Sequence, residues 1–314
     1  MSEGLLQRIG WRTEALAWDS FQLTFQSMGL EGASAFGSAA LRRIGPLTPV
    51  HNVARINMQR CFPDASKPEI DRLLDRMWDN FGRLVGENPN MRHFRPEVYD
   101  ERAIIVGEEI VLDLERKGQP YILISGHFAN WEVMGAAIAK LNLNCNVTYR
   151  HANNPLIDRR ILDSRHAYGI KLLTAKGGVG AKELLTNLKQ GMSVALMNDQ
   201  KMNDGIAAPF FGHDAMTASG PAKMAMRFGA PIIPVGVRRL GGTQFRVTFF
   251  EPIPQSQLED KSAAVFETVT RINNWVEDRI IEAPEQWFWV HRRWDKAIYR
   301  KDAGSSVSTS AGSI

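Results

Sequence analysis

The chain has 314 residues, of which 44% are hydrophobic and 23% are charged. This length allows one large or two small domains, and the composition excludes a disordered chain, a collagen and a coiled coil. The two cysteines, Cys61 and Cys145, exclude a disulfide scaffold and a thiolate zinc site. The net charge of +4 is too small to indicate nucleic acid, and we expect no such partner.

The N-terminal sequence indicates neither export nor a membrane-spanning anchor. The stretch from Met1 to Gly4 lacks the features of a secretory signal, and no run of 18 uncharged apolar residues occurs in the chain. Bulky side chains recur at helical spacing at Trp18, Phe21 and Phe25. Such an aromatic face either lies in a membrane interface or packs against the protein's own core, and the pattern leaves both open.

A longer helix is predicted after Ser66. Ser66 and Glu69 form an S-x-x-E capping pattern, and apolar residues then recur at helical spacing up to Val85. These helices predict an N-terminal helical, membrane-proximal subdomain over residues 1–100.

Beyond this subdomain, short apolar runs alternate with amphipathic helical stretches. The alternation predicts an α/β fold with a mixed central sheet, and helices covering both faces explain why the strands are apolar throughout. The predicted strands are Ala103–Val106, Tyr121–Ser125, Cys145–Tyr149, Ile170–Thr174, Ser193–Met197, Pro231–Arg238 and Gln244–Phe250. We expect one integrated domain, with the α/β core at 101–302 and a disordered Ser/Gly-rich tail at 303–314.

Residues suited to acid–base chemistry follow the strand at Tyr121–Ser125. His127 stands in a turn at its carboxyl end, the edge where open α/β sheets bind ligands, and Asn130 is a favoured helix N-cap. Glu132 is near enough to accept the imidazole N–H and to hold His127 as a general base for a hydroxyl. The alternative is a buried histidine satisfied by a capping glutamate. A metal site is less favoured, because no second histidine follows one helical turn later.

The segment from Gly126 to Glu132 resembles the H-x4-E signature of the late acyltransferases of lipid A biosynthesis, which belong to the lysophospholipid acyltransferase superfamily. Further segments resemble that family in the same order: Val53–Pro63, Tyr149–Arg150, Asn154–Leu156, Arg165, Asn198–Gln200, Pro209–Gly212, Thr217 and Pro284–Trp294. Two features depart from the family pattern. Lys201 replaces an aspartate, and the apolar N-terminal anchor of many members is absent.

The resemblance implies an O-acyltransferase that moves a fatty acyl chain from acyl carrier protein to a hydroxyl of a lipid A precursor. It also implies no cofactor, no metal, and a peripheral or weakly anchored position on the cytoplasmic face of the inner membrane. His127 and Glu132 are then the catalytic residues, and backbone N–H groups near Gly126 or Trp131 are candidate oxyanion donors. Two alternatives stay open. The first is an acyltransferase of the same mechanism that uses acyl-coenzyme A and acts on another glycolipid, an ornithine-type lipid or a lysophospholipid. The second is a catalytically silent membrane-associated homologue, an alternative that Lys201 supports.

The resemblance also implies substrate-binding residues, namely Arg150, Arg165, Asp199, Phe210, Phe211 and Gly212. Guanidinium groups suit phosphate oxygens, and we expect Arg165 to pair with Asp199. The aromatic pair before the glycine is expected to form part of the acyl-pocket wall. The alternatives are a solvated helix face for the arginines and an ordinary core-to-turn junction for the phenylalanines.

The C-terminal segment combines tryptophans with basic residues. Trp287, Trp289 and Trp294 alternate with His291 and an Arg-Arg pair. This composition suits either a membrane interface or a tertiary clasp over the sheet edge, and the sequence does not decide between them.

Overall fold

The computed structural model describes residues 4–170, 173–175 and 178–301, so the predicted tail at 303–314 lies outside the described residues. Within these ranges the helices are α1 Leu5–Ser27, α2 Gly29–Ile44, α3 Pro49–Cys61, α4 Lys67–Glu87, α5 Glu108–Arg116, α6 Glu132–Lys140, α7 Pro155–Ala167, α8 Gly178–Lys189, α9 Gly220–Phe228, α10 Lys261–Glu282 and α11 Ile298–Lys301. The strands are β1 Ala103–Val106, β2 Ile122–Ser125, β3 Cys145–Tyr149, β4 Leu173–Ala175, β5 Ser193–Met197, β6 Ile206–Phe210, β7 His213–Thr217, β8 Ile232–Gly241 and β9 Gln244–Phe249.

Seven of these strands form one mixed sheet in the order β1-β9-β8-β2-β5-β3-β4. The strands from β8 to β4 run parallel to one another, whereas β9 is antiparallel to β8 and parallel to β1. The predicted fold class is therefore confirmed. The predicted strand at Ile170–Thr174 includes two residues outside the described ranges.

Strand β2, at the centre of the sheet, is buried on both faces, as its apolar sequence predicts. On β2, Ile122 and Ile124 pack into one hydrophobic cluster with α3, α4, α8, α9 and α10. Leu123 between them packs into a second cluster with α5 and α6 on the opposite face. The alternation follows from the period of two along a strand. Helix α4, which opens with the predicted capping box at Ser66, thus packs directly against the sheet.

A hairpin formed by β6 and β7 was not predicted. Its two turn residues, Phe211 and Gly212, have φ angles of 49° and 71°. Positive φ at both positions is typical of a type I′ turn, for which Asn-Gly is the usual signal. Because Phe211 occupies the first of these positions, the sequence resembles a core segment that ends at a glycine.

The two aromatic segments pack inward to different extents. On the aromatic face of α1, Phe25 is buried and Trp18 and Phe21 are half-buried, whereas Met28 at its end is 37% exposed, so the face packs against the protein only in part. Trp287, Trp289 and Trp294 are at most 2% exposed, so the C-terminal segment is a tertiary clasp and its membrane-interface interpretation is wrong. Among the described residues, none of the helices has the length and apolar character needed to span a bilayer.

Candidate active site

The topology brings the ends of two neighbouring strands together. Strands β2 and β5 pair in parallel, with Ser125 opposite Met197, and the Asn198 N–H donates to the Ser125 carbonyl at 2.9 Å. His127 follows β2 and Asp199 follows β5 by the same number of residues. Both side chains therefore lie at the carboxyl edge of the sheet, where this class of fold binds its ligands.

His127 and Asp199 form a closely held pair. His127 Nδ1 lies 2.7 Å from Asp199 Oδ1, and the His127 backbone N–H donates to Oδ2 at 2.7 Å. The Trp287 indole N–H also donates to Oδ2, at 2.8 Å. Burial of Asp199 would raise its pKa, but the interaction with His127 and these hydrogen bonds lower it well below the ordinary value of 3.8.

This arrangement assigns the imidazole tautomer. An ionised carboxylate only accepts hydrogen bonds, so the hydrogen bonds assign the proton to Nδ1 of His127 and leave the lone pair of Nε2 available. The side chain of His127 is 15% exposed, whereas that of Asp199 is 2% exposed. The geometry is that of a general base oriented by a buried carboxylate.

The contacts predicted for Glu132 and for Asp199 are wrong. Asp199, and not Glu132, contacts His127, whereas Glu132, and not Asp199, pairs with Arg165. Glu132 accepts from Arg165 Nε at 3.1 Å and Nη2 at 2.5 Å, and from the Tyr168 hydroxyl at 2.5 Å. The physical reason is that Glu132 opens α6 next to the end of α7, from which both donors extend. Burial would raise the pKa of Glu132, but Arg165 and Tyr168 lower it below its ordinary value.

The turn that carries His127 is anchored from the N-terminal helices. Asn130 Oδ1 accepts from the Glu132 N–H at 3.2 Å, as its predicted capping role requires, and its Nδ2 donates to Glu87 at 3.0 Å. Glu87, at the end of α4, forms a buried two-bond ion pair with Arg239 of β8. Ala129 has a φ of 47°, a strained value for a residue with a side chain. These polar contacts hold the turn in that conformation.

The space beside His127 is small. A crevice of about 10 Å³ lies between His127, Trp131, Phe288 and residues of α4, which is room for about one water molecule. The ring centroids of Trp131 and Phe288 lie 4.9 Å and 6.0 Å from that of His127. Both rings therefore pack against the imidazole.

The other predicted binding residues lie away from this crevice. Arg150 is exposed beyond the end of β3. Phe210 is fully buried against Trp287 and Trp294, and Phe211 and Gly212 form the hairpin turn. Phe210 thus packs against Trp287, and the crevice beside His127 is lined by other residues.

A larger cavity of about 500 Å³ lies between α1, α7 and the segment Asn88–Phe94, and reaches Glu132. Three arginines and three carboxylates line it, so their formal charges cancel: Arg92, Arg160, Arg165, Asp19, Asp163 and Glu132. Trp18, Gln22 and Gln26 also contribute to its wall. The cavity is polar but formally neutral, and Arg165 is already compensated by Glu132.

Three contributions to the site were missed from the sequence. Tyr168 follows Arg165 by one helical turn, a spacing that predicts a shared face. The indole N–H of Trp287 and the Glu87–Arg239 ion pair join residues that are distant in the chain, and no local pattern indicates them. Lys201, the departure from the family pattern, lies 3.5 Å from the Asp295 carboxylate. Its charge is therefore paired with that of Asp295.

Comparison with known proteins supplies the family. Residues 25–296 match the model of the bacterial lipid A biosynthesis acyltransferases. The chain belongs to this family. It is 27% identical to the lipid A biosynthesis lauroyltransferase of Escherichia coli K12 over 242 residues, which cover 76% of each chain.

Two further acyltransferases also align with the chain. The chain is 25% identical to the E. coli palmitoleoyltransferase of lipid A biosynthesis, over 77% of this chain and 78% of the relative. It is also 25% identical to the phosphatidylinositol mannoside acyltransferase of Mycobacterium tuberculosis, over 62% of this chain and 61% of the relative. The resemblance inferred from the motifs is thus confirmed, and the chain is an enzyme of acyl transfer.

Proposed function

We propose that this chain is an O-acyltransferase that moves a fatty acyl chain from acyl carrier protein to a hydroxyl of a lipid A precursor. In this proposal His127 is the general base, and Asp199 takes the orienting role predicted for Glu132. The observation that carries the proposal is the 2.7 Å contact between His127 Nδ1 and Asp199 Oδ1, which leaves Nε2 available as a base.

The reaction follows from this geometry. Nε2 removes the proton of the acceptor hydroxyl while its oxygen forms a bond to the thioester carbonyl carbon. The tetrahedral oxyanion then collapses and the bond from carbon to sulfur breaks. The imidazolium gives its proton to the leaving sulfur, which departs as a thiol, and His127 returns to its neutral form. Asp199 stabilises that imidazolium between the two steps.

The oxyanion needs donors that are not already engaged. The backbone N–H groups of His127, Phe128, Ala129 and Glu132 donate to other oxygens, which removes most of the predicted candidates. The side-chain amide nitrogen of Gln200 lies 3.5 Å from His127 Nε2. The amide nitrogen has two N–H groups, and its long contact with Nε2 uses at most one of them, so we assign the other as an oxyanion donor.

A sugar-bearing acceptor fits the cavity between α1 and α7. Its balanced arginines and carboxylates, two glutamines and Trp18 suit hydroxyl groups and sugar rings better than a free phosphate. The names of the relatives, lipid A and phosphatidylinositol mannoside enzymes, also refer to glycolipids. These observations favour a glycolipid over an ornithine-type lipid or a lysophospholipid.

The acceptor is a membrane lipid, so the enzyme must contact a bilayer, and we assign this contact to the outer face of α1 on the cytoplasmic side of the inner membrane. Leu5 is 74% exposed, and Leu16 and Leu23 are each 67% exposed. A helix with such a face lies in the membrane interface without crossing it. This face is opposite the aromatic face that packs on the protein.

The test is His127→Ala in the purified enzyme, assayed with acyl carrier protein thioester and lipid A precursor. We expect the rate to fall by roughly 10²–10⁴-fold, the usual contribution of a general base. The matched control is His151→Ala, because His151 also contacts an aspartate at 2.7 Å but is 58% exposed. A His127→Ala enzyme with half the wild-type rate would refute the assignment. Parallel assays with acyl-coenzyme A and a lysophospholipid test the alternative substrates.

A further inference from the structure

A second groove, separate from the polar cavity, opens beside the active-site turn. It has a volume of about 440 Å³ and lies between the β1-β9-β8 end of the sheet and the end of α10. Apolar side chains and three arginines line it: Ile104, Val106, Phe128, Val237, Phe250, Arg238, Arg246 and Arg279. Ile104 and Val106 are 47% and 45% exposed, so this part of the sheet lacks a covering helix.

Two of the arginines face each other directly. Arg238 of β8 is the cross-strand partner of Arg246 of β9, and both are exposed. Like charges at directly opposed positions of an antiparallel pair destabilise the sheet. Neither guanidinium has a hydrogen bond or ion pair to a carboxylate in the described part of the chain. The arrangement lacks a compensating anion.

The third arginine adds to this positive charge. Arg279 donates to Glu282 at 2.7 Å through Nη2, while its Nε is buried and has no hydrogen-bond partner among the described atoms. Since Glu282 is the acidic residue of the lining, the three arginines leave a formal charge of +2 in the groove. The cavity at α7 is formally neutral by the same count, so the two sites select different ligands.

The groove lies next to the base. Phe128, the residue after His127, and Gln286, which accepts the Ala129 N–H at 2.7 Å, are both part of its lining. Strands β2 and β8 are neighbours, with Ile124 opposite Pro234. His127 follows Ile124 by three residues and Arg238 follows Pro234 by four, so both lie at nearly the same level along the strand direction.

We propose that this groove binds the phosphate of the pantetheine arm of the acyl donor at Arg238 and Arg246, and so directs the thioester to His127. The proposal rests on the proposed acyl-transfer function. Guanidinium pairs suit phosphate oxygens, and the apolar side chains suit the dimethyl segment of the arm. Acyl carrier protein and acyl-coenzyme A share this phosphate.

The first experiment measures binding without turnover. Calorimetry compares 4′-phosphopantetheine with pantetheine, which lacks the phosphate, on the wild type and on Arg238→Gln/Arg246→Gln. We expect wild type to bind the phosphorylated arm at least tenfold more tightly, and the double variant to lose this preference. The matched control is Arg116→Gln/Lys117→Gln, which removes two exposed cations at the end of α5. An unchanged preference in the double variant would overturn the proposal.

The second experiment separates the sources of the phosphate. In the double variant we expect KM to rise about tenfold for acyl carrier protein thioester and for acyl-coenzyme A alike, with the acceptor KM unchanged. A rise for acyl-coenzyme A alone would assign the arginines to nucleotide phosphates, and a rise for the acceptor alone would assign them to the acceptor. Either result would overturn the proposal.

The third measurement, the melting temperature, shows whether the double variant folds. Together with the binding data, the wild-type activity then separates failure of the groove assignment from failure of the proposed function. Because removal of opposed like charges relieves repulsion, the double variant should melt at or above the wild-type temperature. A lower melting temperature would contradict the claimed repulsion, and the single variant Arg238→Gln then carries the binding test. If wild type transfers no acyl group yet shows the phosphate preference, the proposed function fails while the groove assignment stands.

Discussion

Two histidine–aspartate pairs in this protein have nearly the same local geometry and very different surroundings. In both pairs the imidazole Nδ1 lies 2.7 Å from a carboxylate oxygen, and in both the other oxygen accepts a backbone N–H. The His127 and Asp199 side chains are 15% and 2% exposed, whereas those of His151 and Asp158 are 58% and 13% exposed.

The difference shows why a short contact alone does not identify a catalytic pair. At the exposed pair, the His151 ring lies largely in solvent, which screens its interaction with the carboxylate. At the buried pair, Asp199 also accepts the Trp287 N–H and cannot turn toward water. Burial at the carboxyl edge of the sheet makes the His127 pair suitable for proton transfer.

The largest expected effect tests this comparison directly. Asp199→Asn removes the charge that stabilises the imidazolium and permits the wrong tautomer, so we expect kcat to fall by roughly 10²–10⁴-fold. Asp158→Asn makes the same chemical change at the exposed pair and should leave kcat within about twofold. Steady-state assays of both variants check the prediction. Equal losses would show that burial does not distinguish the pairs.

The buried carboxylate of Glu132 extends the comparison, because its partner, Arg165, carries a permanent charge. Glu132→Gln leaves Arg165 without its counter-ion in a mostly buried position, and we expect the free energy of unfolding to fall by about 3 kcal/mol. Urea denaturation measures this loss. The double variant Glu132→Gln/Arg165→Gln should recover part of the stability, since no charge is then left unpaired. Full stability of the single variant would contradict the structural role.

The fold was predictable largely because hydrophobic periodicity is local. The strands β1, β3 and β5 have the predicted bounds, and the capping box at Ser66 begins α4 as expected. The missed hairpin depends on a positive φ at Phe211, a backbone conformation that its side chain disfavours. Sequence patterns reflect the usual backbone preferences of residues. They therefore do not reveal a disfavoured backbone conformation that tertiary contacts stabilise.

The sequence predicted which residues belong to the candidate site, but it did not predict which of them contact each other. The sequence places His127 at the end of one strand and Asp199 at the end of another, and both belong to matched family segments. The sheet order that makes β2 and β5 neighbours depends on packing between distant segments, which one sequence does not reveal. The short distance along the chain therefore favoured Glu132, whereas Asp199 is the residue in contact.

The buried histidine His291 gives a smaller expected effect. This effect is on the stability of the protein and not on the reaction rate. Burial lowers the pKa of His291 to about 4, although Asp199 partly opposes this, and its Nε2 accepts the Lys201 N–H. Between pH 6.5 and pH 4 the unfolded chain binds a proton here that the folded chain does not, so stability falls as the pH falls. From pH 7 to pH 5 this contribution is about 2 kcal/mol.

The measurement is urea unfolding of wild type and His291→Gln at both pH values. Glutamine accepts the same N–H but does not titrate, so the variant should lose about 2 kcal/mol less than wild type on acidification. His166→Gln, at an exposed position on α7, is the control and should follow wild type. Identical pH dependence in His291→Gln would mean that His291 protonates as readily in the folded enzyme as in the unfolded chain.

The smallest expected effect tests the assignment of the acceptor to the neutral cavity between α1 and α7. Gln22 of α1 is half-buried in the neutral cavity that reaches Glu132, and we expect its amide to bind an acceptor sugar hydroxyl. Gln22→Ala removes one hydrogen bond, worth about 1 kcal/mol, and should raise the acceptor KM about fivefold to tenfold. Gln7→Ala, on the exposed part of the same helix, should leave it unchanged. The donor KM should stay constant in both variants, because the donor is assigned to the charged groove at the β1-β9-β8 end of the sheet. A rise in donor KM with Gln22→Ala would contradict the assignment of the acceptor to the neutral cavity and of the donor to the charged groove.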